Sequence, residues 1–232
     1  MIGIFYLVIG GVFVVSLLIQ GWLKTTYSRW SRVPNSLGAP GSSVARHVLD
    51  KHGLWQVALG VQRGSLSDHY DPRNKSVALS ARIFQEPSVA SAAIAAHECG
   101  HAIQDATNYG PMRMRDAVVP VAMLGSQYGP WAVIGGWSFQ VPLLVQIGFF
   151  LYAGSMLIHI INLPVEFDAS RRAREELLEM GMDSDDDRRG AKKVLRAAAM
   201  TYVAGSATAM IHLLFIAFAF GRTFLGRQTP AP

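Results

Sequence analysis

The sequence predicts a mainly α-helical membrane protein, with about four transmembrane helices and a small α+β part holding a short antiparallel sheet. Three observations predict it. Half of the 232 residues (50%) are hydrophobic and the mean hydropathy is positive, and several uncharged runs are long enough to cross a bilayer. After the first such run comes a stretch in which apolar and polar residues alternate, the period of strands with one buried face. Next stands Ala95-Ala96-His97-Glu98-Cys99-Gly100-His101-Ala102, an alanine-rich helix with two imidazoles four positions apart.

Residues 1–23 form the first predicted span. The run from Ile2 to Trp22 carries no charge, and it lacks the basic start and small-residue cleavage pattern of a secretory signal, so it reads as a retained anchor. Residues 24–116 form a polar segment. It contains the loop signals Val33-Pro34-Asn35-Ser36 and Gly38-Ala39-Pro40-Gly41, then a short helix from Val44 to Lys51 capped by Ser42 or Ser43, with Val44, His47 and Val48 on one side. Trp55, Val57, Leu59 and Val61 mark the buried face of a first strand, Ser65 to Tyr70 a returning second, and Val77 and Leu79 a third. Glu86-Pro87-Ser88 is a helix start, and the helix it opens carries both histidines.

Residues 117–163 hold two further spans. Ala117 to Gly136 is the weaker, interrupted by Pro120, Ser126, Gln127 and Pro130; Val141 to Leu163 is strong. Residues 164–200 return to polar character, with an amphipathic helix from Val165 to Met180 and a helix start at Asp183-Ser184 whose acids suit the positive end of the helix dipole. Residues 201–221 form the fourth span and 222–232 a tail. His159 and His212 lie within spans and read as packed, hydrogen-bonded histidines.

Charge placement tests this organisation. Segments 24–116 and 164–200 lie on one side if four spans exist, and they hold 11 and 8 of the 21 Lys and Arg residues. The positive-inside rule puts both in the cytoplasm and both termini outside, in a multi-pass protein of a bacterial inner membrane. The net charge of +5 therefore reflects membrane topology rather than nucleic-acid binding. The single cysteine excludes an internal disulfide and reads as a packing residue.

His97 and His101 share one helix face and can bind one Zn2+, with Glu98 beside the open position to take a proton from water. Gly100 between them costs helix propensity; a tight neighbour and simple slack explain it equally well. A catalytic zinc needs a third protein ligand, and Asn162-Leu163-Pro164-Val165-Glu166-Phe167-Asp168-Ala169-Ser170 offers a carboxylate at the membrane face on the cytoplasmic side. Glu166 is the first choice, since two histidines, a glutamate and water form an established catalytic set, and Asp168 is the alternative. His69 and Tyr70 are candidate oxyanion donors, or else residues that pin a turn or orient a ligand histidine.

Three segments carry a resemblance. Ser65-Leu66-Ser67-Asp68-His69-Tyr70-Asp71-Pro72, His97-Glu98-Cys99-Gly100-His101-Ala102-Ile103-Gln104 and Leu163-Pro164-Val165-Glu166-Phe167-Asp168-Ala169-Ser170 resemble the bacterial YugP-type neutral zinc metallopeptidases. The likeness runs from about Tyr27 to the fourth span. More distantly, the chain is similar to the HtpX heat-shock proteases and the CAAX prenyl proteases. In those a glutamate opening a Glu-Phe/Tyr-x-Ala-Asp helix completes the zinc site, which implies Glu166. The resemblance implies a membrane-bound zinc endopeptidase. The catalytic part is expected to be zincin-like, and the expected partners are protein or peptide substrates, the lipid bilayer, and a membrane protein or a second copy of the chain. Ser170 stands where the distant relatives have aspartate, so that acid's role is unassigned.

Two rival classes compete. A scaffold with a structural zinc would need no base at Glu98 and would recruit a fourth protein ligand. A transporter would need charged partners for His159 and His212, and their segments hold none.

Overall fold

A computed structural model describes the backbone of residues 2–224, with side chains for 7–218 other than 9 and 216. Among the described residues seven helices and three strands follow in order: α1 (Ile2–Trp30), α2 (Gly41–Lys51), β1 (Ala58–Gln62), β2 (His69–Asp71), β3 (Ser76–Ser80), α3 (Ala81–Gln85), α4 (Val89–Ala106), α5 (Gly110–Ser138), α6 (Pro142–Glu179) and α7 (Asp185–Phe224). The chain is mainly helical with a small mixed sheet. Helices α5, α6 and α7 are each long and apolar enough to cross a membrane. The span expected over 1–23 falls partly on side chains outside the described set, as does the end of the fourth span and most of the tail.

The chain forms two compact units. The first comprises Met114–Asn162 with the flanking ends of α1 and α7. Its helices are coated with outward-facing apolar side chains; Trp131, Leu143 and Phe150 are 72%, 64% and 67% exposed. Such a surface is unfavourable in water and suits lipid. Small residues let the backbones of α5 and α6 touch. A Cβ on Gly125 would stand 2.2 Å from the Leu151 carbonyl oxygen, and one on Gly136 would stand 2.6 Å from the Val145 nitrogen. Gly129 meets Tyr152 and Gly148 meets Val133 in the same way. With lipid outside, packing between small residues replaces hydrophobic burial as the attraction between helices. The spacing Gly125, Gly129, Gly136 is therefore the signal by which the interrupted second span could have been read as a close-packed helix. Both Pro120 and Pro130 lie inside α5 without ending it.

The second unit comprises Leu17–Arg113 and Leu163–Thr201. Its core is the alanine face of α4, the fully buried Val44, Ala45, Val48 and Leu49 of α2, and Val77 and Leu79 of β3. Ser88 caps α4 by accepting from the Ser91 amide at 3.1 Å, so the helix starts where the sequence signals it. The Asn35 side chain donates to the Ser88 carbonyl at 3.1 Å and ties that start to the 33–36 loop.

Several expectations are corrected. The sheet is mixed: its order is β1-β3-β2, with β1 parallel and β2 antiparallel to β3. Burial goes with the order, because β3 is the most buried strand and takes the centre, whereas β1 is left at an edge with Val61 55% exposed. Trp55 precedes the strand and is 73% exposed. The second strand shrinks to His69–Asp71, since Gly64 (φ 106°) and Leu66 (φ 56°) break extended geometry before it. Helix α2 begins at Gly41 after Pro40 without a side-chain cap, and His47 faces out while Ala45 and Leu49 complete its buried side. The span and amphipathic helix expected either side of Pro164 are one helix, α6.

Candidate metal centre

Two elements of the second unit build the site. On α4, four residues make a little over one turn, so His97 and His101 project together; their ring centroids are 4.8 Å apart. On α6, Glu166 directs its Oε2 to within 3.3 Å of His97 Nε2 and 3.7 Å of His101 Nε2. One ligand atom from each lies within 4.8 Å of the others. All three side chains are close to fully buried, and Glu98 beside them is 8% exposed.

Gly100 makes this convergence possible. A Cβ at that position would stand 2.8 Å from the Ala169 carbonyl oxygen and 3.1 Å from Ala169 Cα. The glycine is therefore explained by a tight neighbour, and α6 lies directly against the turn of α4 that holds both histidines.

Outer partners orient the imidazoles. His101 Nδ1 lies 3.0 Å from Gln104 Oε1, and the same fully buried amide donates to the Val165 carbonyl at 2.8 Å and to Asp168 Oδ2 at 3.0 Å. His97 Nδ1 lies 3.2 Å from Ser170 Oγ. Both Nδ1 atoms are engaged, so both Nε2 atoms face Glu166, the arrangement that metal-binding histidines adopt. Sequence reasoning missed Gln104 and left the Ser170 position unassigned. Gln104 follows His101 by three residues, a helical spacing that places it on the same side and was available as a signal.

Electrostatics follow from burial. Burial raises the Glu98 carboxyl above its ordinary 4.5, outweighing the two histidines that pull it down. For His101, burial opposes protonation, but the Glu166 carboxylate outweighs it and raises the imidazole above 6.5. Burial also pushes up the Cys99 thiol, whose sulfur packs 3.5 Å from the Ala45 carbonyl on α2.

The other candidates sit apart from this cluster. Asp168 accepts from Gln104, from Arg172 Nε at 2.6 Å and from Arg171, so its oxygens are committed to cations and an amide. Tyr70 donates its hydroxyl to Asp105 Oδ2 at 2.6 Å, one turn beyond His101 on α4. His69 is exposed on β2 with Nδ1 2.9 Å from the Ser67 carbonyl. Asp68 accepts from the Ser80 amide at 2.6 Å and holds β2 to the end of β3.

The donor set of two imidazoles and one carboxylate, each imidazole braced from behind, suits a borderline-soft divalent ion such as zinc. Glu98 adds a buried carboxylate next to this set, in a chain that has, among the described residues, three helices long and apolar enough to cross a membrane. The chain belongs to the family described as "Putative neutral zinc metallopeptidase", whose profile matches residues 5–221. It is 35% identical over 192 residues to "Putative membrane protease YugP" of Bacillus subtilis (strain 168), covering 83% of this chain and 85% of that one. No solved structure matches.

Proposed function

We propose that the chain is a multi-pass membrane zinc endopeptidase that hydrolyses peptide bonds of protein substrates at the cytoplasmic face of a bacterial inner membrane. The observation that carries this reading is the convergence of His97, His101 and Glu166 beside the buried Glu98. His97, His101 and Glu166 hold the ion. Zinc, when bound, supplies Lewis acidity toward a carbonyl and toward water. Glu98 accepts the proton of the attacking water and passes it to the leaving amine. Its raised pKa suits the first of these steps, because a more basic carboxylate takes the proton from water more readily.

Tyr70 donates its hydroxyl hydrogen bond to Asp105, which leaves His69 as the remaining candidate to stabilise the oxyanion once substrate is bound. An extended peptide adds along an open edge of the sheet. The sheet and α4 form a zincin-like part, and α1 with α5, α6 and α7 makes four spans. Clustering of 19 of 21 Lys and Arg in segments 24–116 and 164–200 supports the orientation.

Metal analysis of the full chain and of Glu98→Gln, with a cleavage screen of both, tests the reading. The expected result is one zinc per chain in each and a loss of roughly 100- to 10,000-fold in cleavage for the variant. Equal cleavage by both, or zinc lost along with activity, defeats the assignment of Glu98 as base.

A further inference from the structure

Outside the metal-ligand cluster, α1 and α7 line an open cavity of about 610 Å3. Helix α7 lines it with Arg189, Lys192, Lys193 and Arg196, which recur at the three- and four-residue steps of a single helix face. Helix α1 adds Arg29 and the indoles of Trp22 and Trp30. Among the described residues none of these five cations has a carboxylate partner; the ion pair of this part of α7 joins Arg188 to Asp185. Arg189 with Lys193, and Lys192 with Arg196, are like charges four apart, a spacing that destabilises a helix in the absence of an anion.

The cavity is built by packing rather than by loose side chains. A Cβ on Gly190 would stand 2.4 Å from the Trp30 ring and 2.6 Å from Val89, so only glycine seats that indole against α7. Trp30 is 3% exposed, and the Arg29 guanidinium stacks 5.6 Å above its ring centre.

Both helices change character here. Along α1, exposed apolar residues such as Leu17 and Leu18 (55% and 67%) precede Trp22 and Arg29. Along α7 the order reverses: beyond Arg196 no Lys, Arg, Asp or Glu occurs until Arg222. Cations and tryptophan at the end of an apolar run mark the headgroup level of a bilayer. A ligand with a phosphate for the cations and acyl chains for the neighbouring apolar residues matches both parts. We propose that this cavity binds the phosphate headgroup of an anionic phospholipid.

The test uses the full chain in neutral detergent, titrated with phosphatidylglycerol and with phosphatidylcholine. The site predicts saturable binding of one phosphatidylglycerol, at least tenfold tighter than phosphatidylcholine. Lys192→Gln with Lys193→Gln weakens it roughly tenfold or more. Thr26→Trp keeps every charge but fills the cavity, and it weakens binding as much. Arg63→Gln with Arg73→Gln removes two cations elsewhere and changes nothing. Unaltered zinc content and thermal unfolding show that each variant is folded. Three results overturn the proposal: Thr26→Trp binding like the native chain, glycerol phosphate competing as well as the lipid, or a single-stranded oligonucleotide binding more tightly than either.

Discussion

Replacing Gly100 with alanine sets two effects against each other, and their magnitudes decide the outcome. A glycine within a helix costs about 1 kcal/mol relative to alanine, so α4 alone would gain that much. The added methyl, however, would meet the Ala169 carbonyl oxygen at 2.8 Å, where ordinary contact begins near 3.4 Å. Both obstructing atoms are backbone, so no rotamer change relieves them and α6 must move out by about 0.6 Å. Glu166 lies three residues earlier on the same helix and moves with it. Ligand distances in a zinc site hold to about 0.2 Å, so the shift exceeds what the site absorbs. Overpacking costs roughly 1–3 kcal/mol, which offsets or outweighs the helix gain. The expected outcome is a small change in unfolding temperature of the metal-free protein together with a zinc affinity lowered about tenfold or more. Competition against a chromophoric chelator measures the affinity, and thermal unfolding of the same detergent sample measures stability. A variant that binds zinc within twofold of the native chain, on a more stable fold, refutes the idea that this contact positions Glu166.

Gln104→Leu should lower zinc affinity by about 10- to 100-fold in the same competition assay, because it frees His101 Nδ1 and leaves the Val165 carbonyl without its donor. Gly129→Val should lower the unfolding temperature of the detergent-solubilised chain, by about 1–3 kcal/mol of overpacking, without altering zinc content, since it meets Tyr152 and Gly148 away from the ligands. Lys51 is hydrogen-bonded to Glu176 at 2.8 Å and paired with Glu179, and these contacts raise its pKa above the ordinary 10.5. That stabilisation is fully present below 10.5 and is lost as pH rises through the higher folded value. Lys51→Met should therefore unfold earlier than the native chain at pH 8, with the gap closing as pH climbs past 10.5.

Much of the site was legible because its determinants are local. The four-residue step puts two imidazoles on one face, Ser88 announces the start of α4, and chain order brings Glu166 into view as the acid that follows an apolar run. The family likeness was legible for the same reason, in three short segments, and the comparisons bear it out. The missed features depend on contacts between distant residues. Nothing near Val57 says that its strand will pair in parallel with β3, because that choice follows from the centre going to Val77 and Leu79. Ser170 opposite His97 joins positions 73 apart, and α4 against α6 follows from one missing methyl at Gly100. Pro164 was over-read as a boundary, since a proline ends a helix only where its ring and lost amide cannot be accommodated.

Cys99 has a practical corollary. It is the only thiol in the chain, wholly buried, with its thiolate disfavoured by its surroundings. Maleimide reagents react through the thiolate, so the native protein is a nearly silent background for labelling. Single cysteines introduced at exposed positions such as Lys75 or Phe139 could be labelled selectively with no prior removal of native thiols.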